Sequence, residues 1–501
     1  MFFADGFQMS LNGPFYPEEA KKKGLDQSMI GITTGAQYLA RLVGCLVVMT
    51  TANAFNQKCF FAFGALVIGI SLFCFSQLTF GPSGPIFATM STLCRIWIGF
   101  YSAGTWGTGF SNIASFYPKN EGLVAGFIES SYGAGQMIGP FLGNYLFELG
   151  GFSGPFIFAG ALELFIGILC LLLIPSYASL SKDTKTPVIE EKKLEPDERS
   201  RFSGGRLSRI SASSESDDET TDLPLPPKYI SNFGYLISIP IVLSCLPIAT
   251  VNSSLGFMSV ALAPFLLEEF NVGSEGNAKY FFAIFGVTTV ASAFMGTLID
   301  RGFGGKFYAS AIVFSAIGYF LLFLPSVYPK AHSTTFFYTA LIFLGFSIAG
   351  AYTGSYIVTE KASILIGVRD PKTVKIGVVT ALNFWLSVGI TSGQILTGGY
   401  IYNQTSFYIA SLAQCIMIVV FGVPTIFWMW KNKLLAQIYY HEIAPQLLID
   451  EKIESGPPIT NNFVHEATLS VNDISRMHYM SSIGRSNGES INALISSTLR
   501  F

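Results

Sequence analysis

The sequence predicts an all-α membrane protein of about twelve transmembrane helices arranged as two six-helix bundles. Three observations carry that reading. Half of the 501 residues are hydrophobic, only 12% are charged and the mean hydropathy is +0.48, more apolar surface than a soluble core can absorb. Apolar runs of about 20 residues, the length that crosses the hydrocarbon core, recur along the chain. One long polar stretch then divides those runs into two sets.

The first element is a stub over roughly residues 1–17. It is too short to span alone, so the first helix is expected to be truncated in its N-terminal half. Full-length candidates follow at roughly 28–51, 58–80, 86–110, 122–147, 154–175, 236–267, 279–299, 306–328, 334–358, 375–401 and 406–430. Residues 176–229 replace apolar residues with Lys, Glu, Ser and Pro and read as a disordered cytoplasmic linker. The organisation is therefore an N-terminal bundle (1–175), the linker (176–229), a C-terminal bundle (230–430) and a polar cytoplasmic tail (431–501). The 46 Phe and 50 Gly fit helices whose aromatic side chains face lipid and whose small residues allow close packing.

Charge places the loops. Lys58, Lys119, Arg301, Lys306, Lys361, Arg369, Lys372, Lys375, Lys431 and Lys433 fall on the side of the linker, against Lys21, Lys22, Lys23, Lys279 and Lys330 on the other. That excess puts both termini in the cytoplasm. A net charge of −2 offers no basic field for nucleic acid. The seven cysteines sit in or beside apolar stretches, in neither a disulfide nor a metal-site pattern. No cleavable signal peptide is expected, because Met1 runs into Phe2-Phe3-Ala4-Asp5 without a basic region. No phosphate-binding loop or catalytic motif is present, so neither an enzyme nor a cofactor is expected.

Two motifs carry conformational chemistry. Gly135, Gly139 and Gly143 recur every four residues on one face of the fifth span, and Pro140 permits a bend beside them. Gly296-Thr297-Leu298-Ile299-Asp300-Arg301 ends the eighth span, with Gly304, Gly305 and Lys306 after it. The first pattern resembles the G-x-x-x-G-P-x-x-G of proton antiporters in the major facilitator superfamily. The second resembles that superfamily's cytoplasmic loop, where an acid and a base form a charge relay. The equivalent first-half loop, near 51–58, keeps almost none of it. Arg95 in the fourth span, with Gly99 one turn on, matches the superfamily's fourth-helix arginine, which the resemblance links to proton transfer; a structural ion pair is the alternative.

In the first span Asp5 precedes Pro14 and Pro17, followed by Pro17-Glu18-Glu19-Ala20-Lys21-Lys22-Lys23-Gly24. This is similar to the vesicular amine transporters, solute carrier family 18, and nearest to their polyamine branch. Phe127-Ile128-Glu129-Ser130, Leu255-Gly256-Phe257-Met258 and Phe265-Leu266-Leu267-Glu268-Glu269-Phe270 extend the likeness. The resemblance implies a major facilitator fold and an aspartate, Asp5, that receives a substrate ammonium. It departs at Ser259 and Ile98, where acids are expected, and at Gln394, where the eleventh-span echo of the glycine ladder lacks proline.

Five ionisable residues lie at membrane depth: Asp5, Arg41, Arg95, Glu129 and Glu163. Such charges are expensive there, so each is a functional candidate. A carboxyl kept from water holds its proton, and an approaching ammonium displaces it, which gives cation and proton a shared site. Asp5 and Asn12 share one helix face, as do Glu129 and Gln136. The candidate substrate-binding set is Asp5, Asn12, Glu129, Tyr352, Tyr356, Asn383 and Thr391. Glu129, Arg95 and Arg41 form the proton-coupling set. Asn383, Ser387, Thr391 and Gln394 make a polar stripe on the eleventh span, whose alternative use is helix packing.

The expected function is secondary active transport of an organic amine, polyamine or monoamine, by proton-coupled antiport and alternating access. A facilitator of another small organic solute and a non-transporting sensor are the alternatives. The implied partners are a small organic cation, the proton and the lipid bilayer of a vesicle or the plasma membrane. Ser208 and Ser211, beside arginines in the linker, are candidate kinase targets within 200–220.

Overall fold

The computed structural model describes residues 1–51, 57–116, 121–173, 232–366, 371–432 and 434. The linker with its serines, the loop residues 52–56 and almost the whole tail lie outside the described residues.

Twelve long helices follow one another: α1 (Phe2–Lys22), α2 (Gln27–Thr51), α3 (Gln57–Ser76), α4 (Pro85–Phe116), α5 (Glu121–Gly150), α6 (Ser153–Leu173), α7 (Ile239–Phe270), α8 (Ser274–Leu298), α9 (Gly304–Phe323), α10 (Thr334–Leu365), α11 (Pro371–Ser392) and α12 (Phe407–Lys431). A short helix, Asn232–Ile237, leads into α7. Local chemistry sets several boundaries. Ser333 and Ser406 accept from the amides of Phe336 and Ile409, capping α10 and α12. α7 starts with proline in its first turn and stops at Asn271, whose φ of 51° is left-handed.

The first helix is longer than the expected stub. It continues through Pro14 and Pro17 to Lys22, 21 residues, or about 32 Å at the α-helical rise. Nine of the described helices are long and apolar enough to cross a membrane. The three long helices outside that set, α1, α4 and α5, carry Asp5, Arg95 and Glu129.

Packing repeats between the halves. α1 lies on α5, α2 on α4, and α3 on α4 and α6; shifted by six helices, α7 lies on α11, α8 on α10, and α9 on α10 and α12. Across the halves α2 packs on α11 and α5 on α8. These are two six-helix bundles joined along two seams, the architecture the sequence predicts.

The glycine ladder is the seam between α1 and α5. A Cβ on Gly135 would run into the Phe3 carbonyl, one on Gly139 into Ser10, and one on Gly143 into Leu11 and Phe15. Pro140 lies inside α5. The ladder therefore brings the backbone of α1 against α5 and fixes the height of Asp5.

Candidate functional site

Asp5 is 1% exposed and forms no ion pair within 4 Å among the described residues. Its carboxylate accepts from Gln8 Nε2 at 2.9 Å and from the indole Nε1–H of Trp106 on α4. Trp106 is held edge-on by Phe2 and by Tyr132, each with ring centroids 5.0 Å away. The Arg41 guanidinium lies 5.5 Å from the Trp106 ring centroid. A cation over the face of an indole whose N–H points at a carboxylate polarises the ring in one sense.

Arg41 then reaches across the interface. Its Nη2 donates to Asn383 Oδ1 on α11 at 2.8 Å, while Asn383 Nδ2 donates to the Val379 carbonyl. Arg41 also lies within electrostatic reach of buried Glu129 on α5, and both lie within reach of Tyr352 on α10. Tyr352 donates to Asn252 Oδ1 on α7 at 2.5 Å. Asp5, Arg41, Glu129, Tyr352 and Asn383, from five helices of both bundles, thus form one polar centre.

Glu129 forms no ion pair within 4 Å among the described residues. Beside it Ser130 donates to the Thr289 carbonyl on α8 at 2.9 Å, pinning that turn of α5 to the second bundle.

Other predicted residues are placed elsewhere. Asn12 is half-buried two turns along α1. Tyr356 is buried in an apolar cluster with Trp106, Ile128, Tyr132, Val374, Val378 and Val379. Thr391 lies two turns from Asn383 and packs toward Gly35 and Ile395 at the seam of α2 and α11. Its hydroxyl has no hydrogen-bond partner among the described residues. Asn383 and Thr391 both face α2 from the regular helix Pro371–Ser392, whereas Gln394, in the π-helical stretch Gly393–Ile401, donates to Ser259 on α7.

Arg95 is buried on α4 between two rings, 4.2 Å from the Tyr16 centroid and 4.9 Å from Phe75. Nη1 donates to Gln37 Oε1 at 3.3 Å, and no acid pairs with it among the described residues. Gln37 and Tyr38 both reach Met9 Sδ on α1, at 3.3 and 3.1 Å, linking Arg95 to the helix that carries Asp5.

In the second conformational motif Gly296 packs on α5, where a Cβ on Gly126 would lie 2.7 Å from the Gly296 Cα. The turn after Arg301 is made by Gly302, whose φ of 88° suits glycine. Gly304 instead begins α9. Arg301 is engaged rather than free, and the Asp300 side chain lies outside the described residues.

Sequence reading missed Trp106, Gln8, Gln37 and Asn252. Gln8 follows Asp5 by three residues and Trp106 follows Arg95 by eleven, both helical repeats of one face. Those spacings are the signal that pointed to them.

Nearer the start of α2, Gln27 also reaches the second half, its Nε2 donating to the Val260 and Gly398 carbonyls at 3.1 and 3.4 Å. Beyond it Lys21 and Glu268 approach to 3.5 Å across α1 and α7.

This helical plan has counterparts. It superposes on the human organic anion transporter MFSD10 (TETRAN) with a TM-score of 0.56 at 12% identity, over 85% of this chain and 96% of that one. Curated relatives include the mouse MFS-type transporter SLC18B1, 28% identical over 437 residues, 84% of this chain and 83% of the relative. The human SLC18B1 is 25% identical over 83% and 81%. With residues 1–367 matching the model of the Major Facilitator Superfamily, the twofold helix packing has its explanation: the chain belongs to that superfamily and is a membrane transporter, not an enzyme.

Proposed function

We propose that the chain is a secondary active transporter that exchanges an organic amine for protons by alternating access. The observation that carries this reading is Asp5. It is a buried carboxylate held by Gln8 and Trp106 but paired with no arginine among the described residues, so its charge is available to an ammonium. Tyr132, packed edge-to-face against Trp106, offers an aromatic ring to the same cation, the Trp106 face being taken by Arg41.

Glu129 supplies the second carboxylate, coupled to Arg41, and takes the exchanged proton. Arg41 and Tyr352 answer changes in charge at either acid, and because Arg41 is tied to Asn383, those changes reach the second bundle. Rocking of one bundle on the other along the two seams then exposes the centre to one side at a time. Arg95 holds the first bundle's polar groups in register through Gln37 and Met9. Both termini face the cytoplasm, and the membrane is that of a vesicle or the cell surface.

The test is uptake of labelled spermidine, putrescine, tyramine and serotonin into proteoliposomes, with and without an imposed pH gradient. Accumulation of one amine above equilibrium, abolished by collapsing the gradient and by Asp5→Asn, is the expected result. Equilibration without concentration identifies a facilitator. Binding without movement identifies a sensor, and indifference to every amine removes the amine reading.

A further inference from the structure

Glu163 stands outside the centre described above. It lies on α6, on the face it shares with Gly160 and Gly167. Gly160 packs on Gly69 and Phe73 of α3, and Gly167 packs on Ala65 and Leu66, so this face is pressed into the seam with α3. α6 also touches α1 and α5. The Glu163 side chain is 0% exposed, and neither carboxylate oxygen has a hydrogen-bond partner among the described residues. A carboxyl group placed in this way is stable only when it carries its proton or is met by a cation or a donor.

The charged groups in electrostatic reach are Asp5 and the Met1 amino group, both on the α1 side. Cys170, two turns along the same helix, is the other titratable neighbour. α3 and α5 contribute none among the described residues.

Charge balance gives this placement a use. The buried ionisable residues among those described are Asp5, Glu129 and Glu163 against Arg41 and Arg95. With the proton off Glu129 and on Glu163, two acids face two bases and the buried set sums to zero. When an ammonium enters beside Asp5, the set gains one positive charge and returns to zero if Glu163 ionises.

Resting on the amine-for-proton reading, we propose that Glu163 is a second proton-carrying site, separate from the amine, which releases its proton when a cation neutralises Asp5. The step moves a proton from the Glu163 carboxyl to water while the ammonium becomes the counter-ion of Asp5; no covalent bond to the amine is made. Repulsion between two carboxylates within reach of each other disfavours ionising both, and the cation removes that repulsion.

The experiment uses the purified full chain in weakly buffered detergent solution with a pH-indicator dye. Spermidine and tyramine are added separately, and amine bound and protons released are both counted. In Glu163→Gln, amine binding persists and proton release falls by about one per amine relative to wild type. Equal release in wild type and Glu163→Gln overturns this proposal and leaves the exchange reading standing. Binding by wild type without any proton release overturns both. If neither amine binds, the amine reading falls and this proposal falls with it. Should Glu163→Gln fail to fold, infrared difference spectra of wild type carrying ¹³C-labelled glutamate decide. Loss of a protonated glutamic acid carbonyl band on amine binding supports the proposal, and an unchanged band overturns it.

Discussion

Arg41 and Asn383 are separated by 342 positions in the chain, yet the guanidinium of one donates to the amide oxygen of the other at 2.8 Å. This bond crosses between the bundles on α2 and α11, and its acceptor is neutral. A neutral acceptor is weaker than a carboxylate by roughly a factor of two, which suits a link that the proposed alternating access would break each cycle. Asn383→Asp is therefore expected to strengthen it into an ion pair. The variant should melt at a higher temperature in detergent and turn over about 10-fold more slowly, in line with about 1–2 kcal/mol of extra closed-state stability. Faster turnover would show that the contact does not gate the cycle.

The Trp106 indole is the partner of Asp5 contributed by α4. Trp106→Phe keeps an aromatic ring between Phe2 and Tyr132 but removes the donor. A hydrogen bond to a charged group contributes about 1.5–3 kcal/mol, so under the proposed amine transport the apparent KM for the amine should change by roughly 10- to 100-fold with little loss of thermal stability. The direction is informative. A rise in KM means that Trp106 aims the carboxylate at the substrate, and a fall means that it competes with the substrate for it. An unchanged KM would separate Trp106 from the site.

How much of this was legible in the sequence depended on whether a feature was local. The ladder of Gly135, Gly139 and Gly143 obeys a four-residue spacing, and its partner proved to be the neighbouring face of α1. The six-and-six division followed from run lengths, which hydrocarbon thickness dictates, and from the polar stretch 176–229 that separates the two sets. Arg41 to Asn383 could not be read, because side-chain reach between distant helices is set by the packing of both bundles. Asn383 and Thr391 share the α2-facing side of a regular helix, as their spacing implies, but the π-helical turns that begin at Gly393 turn Gln394 toward α7, which spacing alone does not reveal. The short helix estimated for 1–17 stopped where Glu18, Glu19, Lys21 and Lys22 end the apolar run, whereas backbone hydrogen bonding carries the helix on to Lys22.

The α1 and α5 seam predicts an ordered series of effects. At Gly135 an added methyl meets backbone, the Phe3 carbonyl, which cannot move without shifting the helix. At Gly143 it meets the side-chain ends of Leu11 and Phe15, which can rotate. Gly143→Ala is expected to cost about 1–3 kcal/mol, the range for overpacking, while Gly135→Ala costs more and lowers the yield of folded protein. Melting temperatures of the two purified variants, with Gly150→Ala as a control in open space, check the order. Equal effects at 135 and 143 would mean that the helices are not in contact as described.

Arg95 poses a question of sign. Its Nε and Nη2 have no hydrogen-bond partner among the described residues, and a buried charge with unmet donors is a net cost to folding. Against that, stacking between Tyr16 and Phe75 contributes about 0.5–2 kcal/mol. Arg95→Gln removes both effects, so the melting temperature should stay within a few degrees of wild type or rise. If the guanidinium serves the transport cycle, gradient-driven uptake should nonetheless fall by about 10-fold or more, a loss of activity without a loss of stability. Arg95→Lys separates charge from shape: an ammonium keeps the charge but cannot stack flat between two rings while reaching Gln37. Uptake restored by lysine would assign the role to charge alone, whereas equal loss in both variants would assign it to the planar fork that joins α4 to α2.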